Sequence, residues 1–130
     1  MLVEEVIDGK PCINQPAGHV DPGEHPADAA VRETLEETGY RVQLTHFLGI
    51  SVLDTPNAGT YYRLSFVAEV IEQLKDAVLD QGILRAVWKT ADEIEQMNNL
   101  RSPLVRDDIA RFRRGQRFPL SLLADTIRTP

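Results

Sequence analysis

Cysteine is almost missing from this 130-residue chain, with Cys12 the only one present. One thiol cannot close an internal disulfide, and without further sulfur ligands it does not make a zinc site. A reduced, cytoplasmic setting is the expectation. Long apolar runs are missing as well: Phe47 to Leu53 is the longest, far short of the ~20 residues a helix needs to cross a bilayer. The N-terminus carries Glu4 and Glu5 where a secretory signal carries positive charge. Basic residues are outnumbered 14 to 20, for a net charge of −6. That balance argues against nucleic acid as a general partner, because such binding needs a basic surface. Internal repeats, low-complexity tracts and linkers are also absent, so residues 1–130 read as one domain.

An acidic chain can still bind phosphates if a divalent cation sits between the negative partners. The order of elements offers a place for one. Leu2 to Ile7 reads as a strand, Asp8-Gly9 as a hairpin turn, and Cys12 to Gln15 as the return. A Pro/Gly-rich loop from Pro16 to Gly23 follows, then a helix opened by Pro26 and closed by Gly39. Strands are expected at Tyr40 to Val52, Tyr61 to Val70 and Ile83 to Lys89, the first too long to be straight. Thr90 and Glu93 have capping-box spacing, which predicts a helix over Ala91 to Met97. Ser102-Pro103 opens a last helix that Gly115 ends. Hairpins mixed with helices indicate an α+β fold or a sheet covered by helices on both faces.

The informative stretch is Gly18 to Tyr40, GHVDPGEHPADAAVRETLEETGY. On a helical wheel Ala27, Val31, Thr34, Leu35 and Thr38 form the buried stripe. Glu33, Glu36 and Glu37 then fall on the opposite side, within an arc of about 100°. Like charges one turn apart repel, and Glu37 lies near the helix C-terminus, where the dipole disfavours an anion. Arg32 can pair with Glu36 but cannot neutralise three carboxylates. A divalent ion relieves these strains together, and hard oxygen ligands favour Mg²⁺, or Mn²⁺ in its place, over zinc. The bland alternative is a solvated acidic face, the usual explanation of a Glu-Glu pair.

Gly18, Glu24, Arg32, Glu33, Glu36, Glu37 and Gly39 together match the Nudix box, G-x5-E-x7-R-E-U-x-E-E-x-G-U. Agreement at seven fixed positions arises by chance on the order of once in 10⁸ or 10⁹ placements. Thr34 departs from the aliphatic residue the motif prefers, and its methyl group can pack. The chain therefore resembles the Nudix hydrolases. That resemblance implies an α/β/α sandwich with a mixed β-sheet, and water attacking a phosphorus of an organic diphosphate with metals polarising the phosphoryl oxygens. It implies that Glu33, Glu36 and Glu37 bind metal, and that Gly18 offers its carbonyl. It further implies that Glu24 reaches the metal region through water and that Arg32 holds a glutamate in position.

The resemblance extends past the box. Asn14 to His19, Asn99 to Val105 and Gly115 to Leu120 are similar to a bacterial subgroup of nonspecific nucleoside tri- and diphosphatases. That subgroup also acts on thiamine-pathway pyrophosphates and releases inorganic phosphate. The alternatives are a house-cleaning nucleotide pyrophosphohydrolase releasing pyrophosphate and a non-catalytic Nudix ligand-binding module. Only 17 residues precede Gly18, so the family's usual first strand is expected to be absent. An open sheet edge invites a second chain, and a homodimer is the corresponding expectation. Other site candidates are His19 and Arg63, each able to reach a substrate phosphate, and Asp80 as a general base. A surface ion pair is the ordinary alternative for Arg63. Tyr61, Tyr62, Phe66 and Trp88 read as core, and His25 as part of the helix start. The basic cluster of Arg111, Arg113, Arg114 and Arg117 complements a helix dipole.

Overall fold

The computed structural model describes residues 1–130. Strand β1 (Leu2–Ile7) turns at Asp8-Gly9 into β2 (Lys10–Asn14), and both turn residues have positive φ, 50° and 75°. A positive φ is easy for glycine and tolerable for aspartate, which is why this dipeptide makes a tight hairpin. Helix α1 covers Pro26–Thr38, and β3 (Tyr40–Thr55) and β4 (Gly59–Gln73) form a long hairpin. Strand β5 (Ile83–Val87), helix α2 (Ala91–Glu95), helix α3 (Leu104–Arg113) and a 3₁₀ turn (Leu120–Leu122) complete the chain.

The strands fall into two sheets, β2-β1-β5 and β3-β4, and every pairing within them is antiparallel. Parallel pairing, which a mixed sheet requires, is confined to the bridge between Ile13 and Leu100. Strand β1 is hydrogen-bonded on both sides, by β2 and β5, so the edges of this sheet are β2 and β5. Leu2 and Val3 point to opposite faces of β1 and are 2% and 1% exposed, so this sheet is covered on both faces. On one face Leu2 and Ile13 pack with Ile94 of α2 and Val105 of α3. Strand β3 stays continuous over 16 residues by shifting register at three places, the last between Phe47 and Gly49. Such bulges bend a strand without breaking it.

The helix ends follow the sequence signals. His25 accepts a hydrogen bond from the Ala27 amide through Nδ1, Pro26 opens the first turn, and Gly39 closes the helix at φ 73°. The capping box at Thr90 and Glu93 is complete. Ser102 Oγ accepts from the Leu104 amide, although α3 begins one residue later than its Ser-Pro signal.

Three aromatic expectations are overturned. Tyr61 and Tyr62 are 43% and 70% exposed, because the tip of the β3–β4 hairpin extends beyond the layers that would cover it. Trp88 is 58% exposed and rests edge-on against Tyr40, centroids 5.8 Å apart. Phe66 does pack inward, tilted on Phe47 at 5.5 Å.

Candidate active site

The box loop and α1 fold onto each other through one arginine. Arg32 reaches Glu24 with Nε at 2.8 Å and Nη2 at 2.9 Å. Its Nη1 meets both Glu33, at 2.9 Å, and Glu36, at 3.0 Å. Nη2 also donates to the His19 carbonyl at 3.0 Å, pinning the loop to the helix. The planar fork of arginine makes this many directed bonds possible, and lysine has no such geometry. Arg32 therefore holds three glutamates rather than one. The Arg32 hydrogen bonds, with help from the Asp21 amide, hold the Glu24 carboxyl down at about 2, and Glu24, with Glu33 and Asp21, raises the guanidinium. Both of Glu24's oxygens are engaged, Oε1 also by the Asp21 amide. His19 lies in the loop with its side chain exposed, and its contact to the site is through its carbonyl.

Beside this fork, carboxylate oxygens of Glu33, Glu36 and Asp80 lie within 4.8 Å of one another. Asp80 joins the pair because its amide donates to the Glu36 carbonyl at 3.0 Å, tying the loop before β5 to the last turn of α1. That carbonyl is one of the four a helix C-terminus leaves unpaired. Three oxygen donors so close, with no sulfur or imidazole among them, fit a hard divalent cation. Asp80 thus stands among the possible ligands.

Glu37 takes a different direction. It accepts from the Ala17 amide at 3.0 Å and has no cationic partner within ion-pair distance. Burial pushes its carboxyl up to about 7, against the Ala17 hydrogen bond and with the help of Glu33, Glu5 and Asp80. Gly18 is packed against Glu33 so tightly that a Cβ there would sit 2.0 Å from the Glu33 carboxyl carbon. Only glycine leaves room for that approach.

This burial corrects the helical wheel. In the stripe of Ala27, Val31, Thr34, Leu35 and Thr38 only Thr38 is fully buried and the rest are half-buried, whereas Ala29, on the glutamate side, is 3% exposed. Helix α1 is wedged between the loop and the sheets, so Glu33 and Glu37 turn inward on the Ala17–Gly18 loop while Glu36 stays partly open to solvent. The wheel treats a helix as having one covered side, and α1 has two.

The same loop borders a cavity of about 360 Å³, running from Gly18 and Glu33 past Arg63 and Ser65 to Val70 and Trp88. Arg63 makes no hydrogen bond or ion pair, unlike the surface pair that is the ordinary fate of a strand arginine. Burial lowers its pKa, against the pull of Asp108 and Glu37. A donor-only group without a partner at a cavity wall is suited to an anion. Sequence reading missed Gln15, Ser65 and Asp108 near it. Gln15 Nε2 and Ser65 Oγ both donate to Asp108 Oδ2, at 3.2 and 2.6 Å. A signal was available: Asp108 lies four residues after Leu104 and three after Val105, on the buried face of α3.

The basic cluster at the end of α3 is spent within the protein. Arg111 pairs with Asp107 at 2.8 Å, Arg113 approaches Asp92 at 3.5 Å, and Arg117 lies over the Phe112 ring at 4.0 Å. No helix is long and apolar enough to span a membrane.

Comparison with known proteins agrees with this geometry. The family model for the NUDIX domain matches residues 1–108. "Phosphatase NudJ" of Escherichia coli K12 is 39% identical over 125 residues, covering 96% of this chain and 82% of that protein. The protein of the same name from Shigella flexneri matches to the same extent. A solved structure of a NUDIX hydrolase from Nitrosomonas europaea superposes with a TM-score of 0.91 at 40% identity, covering 96% of this chain and 86% of that one. With the box intact, the fold matched and the relatives aligned over nearly its whole length, the chain belongs to the Nudix hydrolase family.

Proposed function

We propose that this protein hydrolyses a phosphoanhydride bond in nucleoside tri- and diphosphates or related organic pyrophosphates, in a Mg²⁺-dependent reaction that releases inorganic phosphate. Thiamine-pathway pyrophosphates fall within that substrate class. The observation that carries the reading is the gathering of Glu33, Glu36 and Asp80 oxygens within 4.8 Å, two on a helix braced by Arg32 and one on the loop tied to its last turn. In this reading the three carboxylates hold Mg²⁺, for which Mn²⁺ can substitute, and Glu37 and the Gly18 carbonyl complete the binding region. Bound there, the cation supplies Lewis acidity toward the phosphoryl oxygens and acidifies a water.

The chain's own groups do the rest. Arg32 keeps Glu33 and Glu36 at fixed separation, so little reorganisation accompanies cation binding. Glu24 supports this through Arg32, with any contact to the cation passing through water. Arg63 receives a phosphate oxygen of the substrate, and His19 lies in the loop beside the phosphate chain. The preference for free phosphate as product rests on the relatives named phosphatase.

The test is release of phosphate and pyrophosphate from a panel of nucleoside and thiamine-pathway pyrophosphates, with and without Mg²⁺. Metal-dependent phosphate release is expected. Pyrophosphate release would support a house-cleaning pyrophosphohydrolase, and binding without turnover a ligand-binding module. A second expectation comes from Gly18. Gly18→Ala must displace Glu33, given the 2.0 Å approach, and should lower kcat/KM by about 10²-fold, the scale seen when a catalytic group is shifted by about 1 Å. Activity within threefold of wild type in a folded variant would mean that Glu33 need not stay where it is.

A further inference from the structure

Asp108 is 2% exposed, yet the reaction just described gives it no role. A carboxylate buried this deeply is costly unless its charge is matched. Its matches all point one way. Ser65 Oγ and Gln15 Nε2 donate to Oδ2, and the Arg111 guanidinium lies 3.9 Å from Oδ1. Oδ1 itself accepts no hydrogen bond. Ser65 is two residues beyond Arg63 on β4, so both side chains leave the same face of the strand. Gln15, Arg63 and Ser65 all line the cavity that Gly18 and Glu33 border. One buried anion on α3 thus ties together β4 and the start of the box loop, elements far apart in sequence, beside an arginine that makes no hydrogen bond or ion pair of its own.

We propose that Asp108 is a positioning residue: it fixes Gln15 and Ser65, and through them the stretch of cavity wall from which Arg63 projects, so that the phosphate chain of the substrate meets a cation on a preset wall. This rests on the reading of Arg63 as a phosphate-binding group. Asp108 touches no substrate and acts only through its neighbours. A preset cation improves binding without altering the bond-breaking step, so the signature is in KM rather than kcat.

The experiment combines steady-state kinetics with titration of inorganic pyrophosphate, monitored calorimetrically, on wild type, D108N, S65A, R63M and the D108N/R63M double variant. D108N keeps the shape and removes the charge. It is expected to raise KM about tenfold and weaken pyrophosphate binding by the same factor, with kcat within twofold, the scale of weakening the hydrogen bonds by which the buried charge holds Gln15 and Ser65. S65A removes one tether, leaves the charge, and should raise KM about threefold. In the R63M background D108N should add nothing, because the group it positions is gone. Additive losses in the double variant, or a D108N that lowers only melting temperature or kcat, would overturn the proposal. If D108N does not fold, unchanged pyrophosphate affinity in S65A overturns it. Absence of turnover by the wild type on every substrate refutes the hydrolytic reading, while the pyrophosphate titration still decides whether Asp108 and Arg63 are coupled.

Discussion

Glu36→Gln is expected to lower kcat about 10³-fold, the scale of losing one preorganised electrostatic group, while moving the melting temperature by no more than about 3 °C. The separation of the two effects follows from where Glu36 sits. Its side chain is 41% exposed and its ion pair is to Arg32 alone, at 3.0 Å. Arg32 keeps Glu24 and Glu33 when Glu36 loses its charge, so the loop remains fastened. The acidic trio does not compensate in the same way. Glutamine keeps an oxygen but not the charge, and one of the three anionic groups that would hold a hard cation is lost. Glu33→Gln should match it in kcat but cost more stability, because its side chain is only 14% exposed and Gly18 is packed against it. Kinetics over a Mg²⁺ titration, beside thermal melts, check both variants. Recovery of full kcat at high Mg²⁺ would make Glu36 a residue for metal affinity only. Turnover within threefold of wild type at every Mg²⁺ concentration would remove it from the site.

Much of this site was legible in the sequence because the box is local. Gly18 to Gly39 spans one loop and one helix, and fixed spacing on a helix fixes which side chains can meet. The caps were legible for the same reason, since His25, Pro26, Gly39 and the Thr90–Glu93 box act within a few residues of themselves. What escaped was what depends on a third element. Asp80 was expected near the site as a general base, but its place beside the Glu33 and Glu36 oxygens follows only when its amide finds the Glu36 carbonyl, a contact no periodicity announces. The inward turn of Glu33 and Glu37 depends on the box loop lying over α1, so a wheel drawn for the helix alone showed one of the two covered sides and missed the other. Tyr61 and Tyr62 alternate as strand residues should, but alternation cannot say where a hairpin outruns its cover. Asp108 was hidden by its type: charged residues are almost never fully buried unless paired, so position on the helix face was outweighed by expectation for the residue.

Glu37 is expected to make the protein's stability depend on pH and on metal together. Its carboxyl stands at about 7 in the folded, metal-free protein, against an ordinary 4.5, chiefly because it is buried. Below the ordinary value Glu37 is protonated in both folded and unfolded chains and contributes no pH dependence. Between about 4.5 and about 7 the folded state keeps a proton that the unfolded chain has released, so stability falls as pH rises through this window and is flat above it. The full shift corresponds to about 3 kcal/mol. Solvent screening of a half-buried group reduces that to about 1.5 kcal/mol, or roughly 4 °C in melting temperature for a chain of this size. A cation bound at the neighbouring carboxylates favours the ionised form, so the same ionisation that destabilises the metal-free fold improves cation binding. Mg²⁺ should therefore stabilise the protein little at pH 5.5 and most above pH 7.5. Thermal melts across that range, with Mg²⁺ and with chelator, would read both slopes, and Glu37→Gln isolates this group from other titrations. The variant should be more stable than wild type above pH 7 in chelator, lose the downward slope below it, and gain less from Mg²⁺. Parallel curves for wild type and variant would place the ionisation elsewhere and remove Glu37 from the cation's surroundings.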